Sequence, residues 1–410
     1  MNLQPICGRA RTGLPALLLG AALLFTTACS GGGGNGGGAG GSGGGGNGGT
    51  GTTGTEASKA VVSIKPDDGA KEVATSGVLK ISSTGGKLST VTVADTKGNA
   101  VDGKLAEDGA SWEPSRNLAS ATEYKVHAVA KDEAGRESAK DTTFTTLTPA
   151  NTFIGQYTPE DGATVGVGMP VSINFSRGIT NPEAVEKAIT VTAEPAVPVE
   201  GHWFGNDRLD FRPEKYWAAG TKVTLRLALD GVEGRPGVYG KQTRTVTFTI
   251  GRSQVTTVDA AEHEMQVVRD GQVVKNIPIT AGAPANTTYN GQMVISEKYK
   301  VTRMNGATVG FGGEYDISDV PHAMRLTNSG TFVHGNYWAS SSTFGSENVS
   351  HGCVGLRDVR GAGDDDQPAA WFYNTSLIGD VVIVKNSKDK TVAPDNGLNG
   401  WNMDWAEWIK

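Results

Sequence analysis

Cysteine is scarce, with three in 410 residues, so the chain is not a disulfide scaffold. Long hydrophobic runs are missing as well. Beyond the N-terminus no apolar stretch reaches the roughly 20 residues a membrane helix needs, which excludes a transmembrane channel. Positive charge is also short: 37 Lys and Arg face 43 Asp and Glu, for a net charge of −6 and a pI near 5.6. A nucleic-acid binder usually shows a basic stripe, so that class is set aside. Seventeen prolines and no Gly-X-Y period exclude collagen despite 58 glycines. Much of that glycine is local, with 17 of the 24 residues from 31 to 54 being Gly. Hydrophobic residues make up 37%, enough to bury cores elsewhere, and the length allows two to four domains.

The N-terminus reads as an export signal. Arg9 and Arg11 precede an apolar stretch from Leu14 to Phe25, then Thr26, Thr27, Ala28 and Cys29. Cleavage before Cys29 removes residues 1–28, and losing the two arginines takes the net charge from −6 to −8. The alternative is an ordinary secretory signal cut near Ala28. Residues 29–57 form a Gly-rich tether with no apolar face. Its r.m.s. span is roughly 28 Å, and full extension reaches about 90 Å. No Gly-Lys-Ser/Thr follows, so the glycines are not a phosphate loop. Cys7 leaves with the signal, and Cys353 remains as a lone thiol.

Residues 58–150 and 151–251 read as two copies of one module. Pro66-Asp67-Asp68-Gly69-Ala70 corresponds to Pro159-Glu160-Asp161-Gly162-Ala163. The spacing of Trp112, Pro114, Leu118, Thr122 and Tyr124 recurs in Phe211, Pro213, Trp217, Thr221 and Val223. Alternating runs such as Tyr124, Val126, Ala128 and Val223, Leu225, Leu227, Leu229 predict antiparallel β-sandwiches. His127 and His202 are lone histidines without a catalytic setting. The modules read as spacers, with weak wall affinity as an added option.

From about Gln254 the pattern changes. Met265–Val274 predicts a hairpin about the Asp270-Gly271 turn, with further strands at Gln292–Ile295, Gly330–Val333 and Asp380–Val384. Only Pro368–Asn374 suggests a helix of any length. Residues 252–388 thus form a mostly β domain, large enough for its own core. It carries Phe332-Val333-His334-Gly335-Asn336-Tyr337-Trp338 and Ser350-His351-Gly352-Cys353-Val354-Gly355-Leu356-Arg357-Asp358. A free thiol titrates near 8.5 and needs a neighbouring imidazole or oriented amides to attack. His334 is the candidate base, and a backbone carbonyl near Gly335 can fix its tautomer. Gly352 allows a turn that aims amides at a developing oxyanion. The histidines lack zinc-type spacing, so no metal and no cofactor are expected.

On His334 and the Ser350-His351-Gly352-Cys353 block, the chain resembles the YkuD-type L,D-transpeptidases. Its order of segments resembles their lipoprotein branch, with two N-terminal immunoglobulin-like domains. The resemblance implies a mainly β fold, with two immunoglobulin-like β-sandwiches followed by a β-rich catalytic domain with short helices. It implies Cys353 as nucleophile, His334 as base, and His351 with Gly352 as a shaping, hydrogen-bonding pair. Tyr315, Trp338, Ser350, Gly335, Asn336 and Arg357 would contact substrate. The implied activity joins peptidoglycan stem peptides in 3→3 cross-links through a thioester, releasing terminal D-Ala; carbapenem β-lactams would acylate the same thiol. Cys29 matches a lipobox cysteine, implying a lipid anchor on the outer face of the plasma membrane. Three departures stand out. Gly355 replaces the usual Asn, leaving Arg357 and Asp358 to supply pocket polarity; Gly335 replaces a frequent Ser; and Thr288-Tyr289-Asn290-Gly291 replaces Thr-Pro-x-Gly. The alternatives are an L,D-carboxypeptidase, attachment of proteins to the wall by the same acyl transfer, and a catalytically silent wall-binding stalk. His322 is a further candidate for the pocket wall. In the tail, 389–410, the i, i+4, i+7 spacing of Trp401, Trp405 and Trp408 predicts one face of a short helix. Docking against a module is the favoured role for that face, with sugar stacking the alternative.

Overall fold

The structure, a computed structural model, describes residues 56–308 and 312–410. The signal, Cys29 and the tether up to residue 55 lie outside the described residues. The β reading of the two modules is seen strand by strand. In the first, one sheet runs in the order Val61–Lys65, Lys80–Thr84, Ser111–Pro114, Gly103–Leu105, and the second runs Ala70–Val73, Glu137–Thr146, Glu123–Lys131, Lys87–Asp95. The second module repeats that order: Gly155–Thr158, Val171–Phe175, Arg208–Arg212, Glu200–Phe204, and Thr164–Val165, Thr243–Ile250, Lys222–Ala228, Ile189–Glu194. A small sheet containing Asn151–Phe153 is added to it. The repeated Asp-Gly corner does the same work twice. Gly69 N–H donates to Thr143 O and Gly162 N–H to Thr247 O, both at 2.8 Å. Asp68 accepts from Thr143 N–H at 2.7 Å, and Asp161 from Thr247 N–H at 2.8 Å. Alternation decides burial: Tyr124, Val126, Ala128 and Ala130 turn inward on one strand, Val223, Leu225 and Leu227 on its counterpart.

The third region is a nine-stranded sheet. In spatial order its strands are Gly291–Val294, Val381–Lys385, Gln254–Asp259, Glu264–Arg269, Gln272–Thr280, Val354–Arg357, Phe332–Asn336, Asp316–Arg325 and Glu297–Asn305. The expected hairpin forms about Asp270 and Gly271, whose φ values of 48° and 80° suit a tight primed turn. The helix Pro368–Thr375 buries Ala369 and Phe372 in the sheet's main core with Val333, Val354 and Leu356. The outermost strand, Glu297–Asn305, is rich in charge as a sheet edge should be, and Asp316–Arg325 beside it buries Val320 to Met324 in a row.

The joint between the second module and the catalytic sheet is packed. Gly166 and Gly168 N–H donate to the carbonyls of Ile378 and Gly379 at 2.7 and 2.9 Å, next to Asp380, whose two oxygens Arg252 of the same domain grips at 2.9 Å. Val381 belongs to the module's core cluster, with Val255 and Ile383 against it. A spacer reading for the second module therefore understates its contact with the catalytic domain.

The tail departs from the single helix expected. Gly400–Asn402 forms a 3-10 turn and Trp405–Trp408 a separate short helix, with Met403 and Asp404 extended between them. The reason is what the indoles reach. Trp401 Nε1–H donates to Gly168 O at 2.7 Å and Trp408 Nε1–H to Glu200 O at 3.0 Å. The guanidinium of Arg212 lies 4.8, 5.2 and 4.2 Å from the ring centroids of Trp401, Trp405 and Trp408. Burial lowers Arg212 to about 10, so it still carries its charge among the indoles at neutral pH. This is the docking arrangement, made on the second module. His202 serves it by facing the Trp408 carbonyl at 2.9 Å.

Candidate active site

Two parallel strands bring the thiol and the imidazole together. Val333 pairs with Val354 and His334 with Gly355, and the same register carries Cys353 alongside Phe332. Alternation puts Val333 and Val354 in the main core and sends Phe332, His334 and Cys353 to the other face. The histidine therefore lies within its strand, Phe332–Asn336, and not at the end of Gly330–Val333 as expected from sequence. On that face a cavity of about 320 Å³ is lined by His334 and Cys353 together. Tyr315, Trp338, Asn336, Ser350 and His351 complete its polar and aromatic wall; Met304, Ile317 and Val349 give it an apolar side. A hollow of about 380 Å³ between the two modules is larger, but its lining contains neither a thiol nor an imidazole.

The imidazole is oriented by its own strand. His334 Nδ1–H donates to the Gly335 carbonyl at 2.8 Å, which leaves Nε2 unprotonated and able to accept a proton. The Trp338 ring stacks over it at 5.7 Å. Burial lowers the His334 pKa from its ordinary value, opposed by the Gly335 carbonyl. Burial pushes the Cys353 thiol up to about 11, opposed by the Phe332 amide and Arg325. The resting pair at neutral pH is therefore thiol and neutral imidazole. Sγ–H points to the Gly330 carbonyl at 3.6 Å.

The Ser-His-Gly-Cys turn is held by its first residue. Ser350 Oγ–H donates to the Cys353 carbonyl at 2.6 Å and accepts Gly352 N–H at 3.1 Å. Gly352 has φ 110°, a region L side chains avoid, which is why glycine stands there. His351 Nε2 lies 3.2 Å from Glu314 Oε2, and its ring is 5.0 Å from that of Tyr315. That contact ties the turn to the edge hairpin across the cavity. Burial pushes Tyr315 up to about 12, with Cys353 and Glu314 adding to it, so the phenol stays a donor. Asn336 Oδ1 accepts the Trp338 and Ala339 amides at 3.1 and 2.9 Å and sets the course of the rim.

Four expectations need correction. Arg357 does not line the cavity; it is exposed at its strand end and its charge acts on Asp364. Alternation sends Arg357 to the cavity face, opposite Leu356, but it stands beside Asn336 at the exposed end of its strand, past the cavity. Asp358 supplies no pocket polarity, because it is buried behind the strand and paired with His322 at 2.7 Å. His322 accordingly does not reach the cavity wall. Gly335 contributes its carbonyl rather than a wall. The apolar side, Met304 and Ile317, was not foreseen: it comes from the charged edge hairpin, whose sequence shows no strand signal. Among the described residues no group of three or more His, Cys, Asp or Glu is arranged to hold a metal ion, and no helix is long and apolar enough to cross a membrane.

Comparison with known proteins places this geometry in context. Residues 253–384 match the family model for the L,D-transpeptidase catalytic domain, and residues 70–233 match that for a bacterial Ig domain, one match spanning parts of both modules. The chain is 33% identical over 346 residues to L,D-transpeptidase 2 of Mycobacterium tuberculosis, covering 83% of this chain and 82% of that one. It is 30% identical over 357 residues to L,D-transpeptidase 5 of the same organism, covering 85% and 76%. Among solved structures, L,D-transpeptidase 3 from Mycobacterium tuberculosis in complex with a faropenem-derived adduct aligns at 29% identity and a TM-score of 0.46, covering 56% of this chain and 97% of that one.

Proposed function

The chain belongs to the L,D-transpeptidase family, and from that premise we propose that it cross-links peptidoglycan through a thioester on Cys353. The observation that carries this reading is the shared cavity. One partly buried thiol and one imidazole with a free-acceptor Nε2 face the same 320 Å³ space. His334 takes the Cys353 proton as Sγ attacks the carbonyl of the third, L-configured stem residue. The Sγ–C bond forms, the bond to the terminal D-Ala nitrogen breaks, and the proton returns to that leaving amine. Gly352 N–H already donates to Ser350, which leaves the Cys353 amide to stabilise the oxyanion. A side-chain amine from a neighbouring stem's third residue then attacks the thioester and regenerates the thiol, giving a 3→3 link. Tyr315 and Trp338 hold the donor stem over the thiol, and the apolar side formed by Met304 and Ile317 keeps water from the acyl-enzyme.

A neutral resting pair fits a thiol deprotonated only as it attacks. A carbapenem ring, attacked by the same thiol, would remain as an adduct. The N-terminal sequence supports export and anchorage at Cys29, placing the enzyme on the outer face of the membrane. Incubation of the mature chain with disaccharide-tetrapeptide, with products read by mass, tests the reaction. Cross-linked dimers with free D-Ala are expected. Tripeptide alone would make it a carboxypeptidase, and unchanged substrate would favour a silent stalk.

A further inference from the structure

His322 and Asp358 are buried titratable side chains of the catalytic sheet for which the acyl transfer has no use. His322 Nδ1–H donates to Asp358 Oδ2 at 2.7 Å, with side-chain exposures of 1% and 0%. The other carboxylate oxygen accepts Val359 N–H at 2.8 Å. On the helix side the His322 ring meets Tyr373 at 5.1 Å, and Lys298 Nζ lies 4.4 Å from the same tyrosine ring. His322 takes φ 48°, in the left-handed region that histidine enters more readily than most residues other than glycine. Removing either partner would leave a buried polar group unpaired.

What this pair touches is Gly335. A Cβ on residue 335 would lie 2.0 Å from Asp358 Oδ2 and 2.7 Å from Asp358 Cβ and Cγ. The Asp358 side chain thus fills the space a side chain at 335 would take and abuts the Gly335 backbone from behind. Gly335 pairs with Leu356, two residues before Asp358, so the contact comes from the core face of the strand. The carbonyl of this same Gly335 accepts the His334 Nδ1 proton. We propose that His322 and Asp358 are a positioning pair for the catalytic histidine, walling in Gly335 so that its carbonyl stays where it fixes the His334 tautomer. The proposal rests on His334 and Cys353 being base and nucleophile. Without that wall the side-chain-free Gly335 peptide can turn, and an imidazole protonated on Nε2 cannot accept the thiol proton.

The test follows Cys353 acylation by a carbapenem in the full mature chain, by intact-protein mass, with the downfield Nδ1 proton of His334 read by NMR. Asp358→Ala should slow the bond-forming step about tenfold or more, leave the affinity of the first encounter unchanged, and lose the His334 proton signal. Asp358→Asn, which keeps the bulk behind Gly335, should retain most of the rate and the signal. If Asp358→Ala does not fold, His322→Gln serves the same comparison, since it releases the imidazole's hold on Oδ2. Folded variants acylating at the wild-type rate with an intact His334 signal would overturn the positioning role alone. A wild-type chain that forms no adduct on Cys353 would remove the assignment beneath it, and the proposal with it.

Discussion

The modules and the catalytic sheet use β-structure in opposite ways. In the modules the strand order recurs around apolar cores, and the buried charges among them, such as Asp210 and Arg212, are held by neighbouring groups and lie beside no buried thiol or imidazole. In the catalytic sheet one face is an ordinary core, while the other hides a thiol and an imidazole beside a small cluster of Val320, Ala323 and Phe332. Burial here favours the neutral forms of the Cys353 thiol and the His334 imidazole. The thiol and imidazole thus sit where the sheet can bury polar atoms and still leave an opening.

The largest effects should fall on the reactive face. Cys353→Ala should abolish cross-linking and acylation outright, while His334→Ala should lower acylation by about 10²- to 10⁴-fold; both are read by product mass and adduct rate on folded protein. The second module should answer through stability instead. Trp408→Ala empties a buried site beside Arg212 and should cost about 3–5 kcal/mol in denaturant unfolding, with acylation per folded molecule unchanged. Ile81→Ala, in the core of the first module, should cost about 2–5 kcal/mol with the same indifference of the acylation rate, and a matching loss of rate would erase the contrast.

The smallest effect is in pH. The folded His334 pKa lies below its unfolded value, so the unfolded chain binds the proton more readily. Its contribution to stability is full above about 6.5 and is lost as pH falls from there toward the lowered folded value. The rate should follow the same sign, holding on the acid side to below 6.5 before His334 protonates. A rate already falling above pH 7 would show that the imidazole is not neutral by burial.

How much of this was legible follows from which signals are local. Period-2 runs disclosed the modules, because half-buried antiparallel strands alternate by geometry. The spacing of His334 and Cys353 disclosed the site, because two adjacent parallel strands carry both. The hairpin with Met304 and Ile317 stayed hidden, since its outer strand is written in charge and its inner strand buries a continuous run from Val320 to Met324 instead of alternating. The His322–Asp358 pair was equally silent: its members are 36 residues apart and meet only when the sheet assembles. The tail indoles were legible as a group, but their break into two turns is set by Arg212 and Gly168 on a distant module.

The most direct trial of the His334–Cys353 pairing is intact-protein mass after carbapenem exposure, with the modified peptide identified, in the wild type, Cys353→Ala and His334→Ala. One adduct per chain on the Cys353 peptide is expected, absent in the first variant and strongly slowed in the second. An unmodified thiol on folded wild-type protein, or an equally fast adduct without the imidazole, would contradict the account.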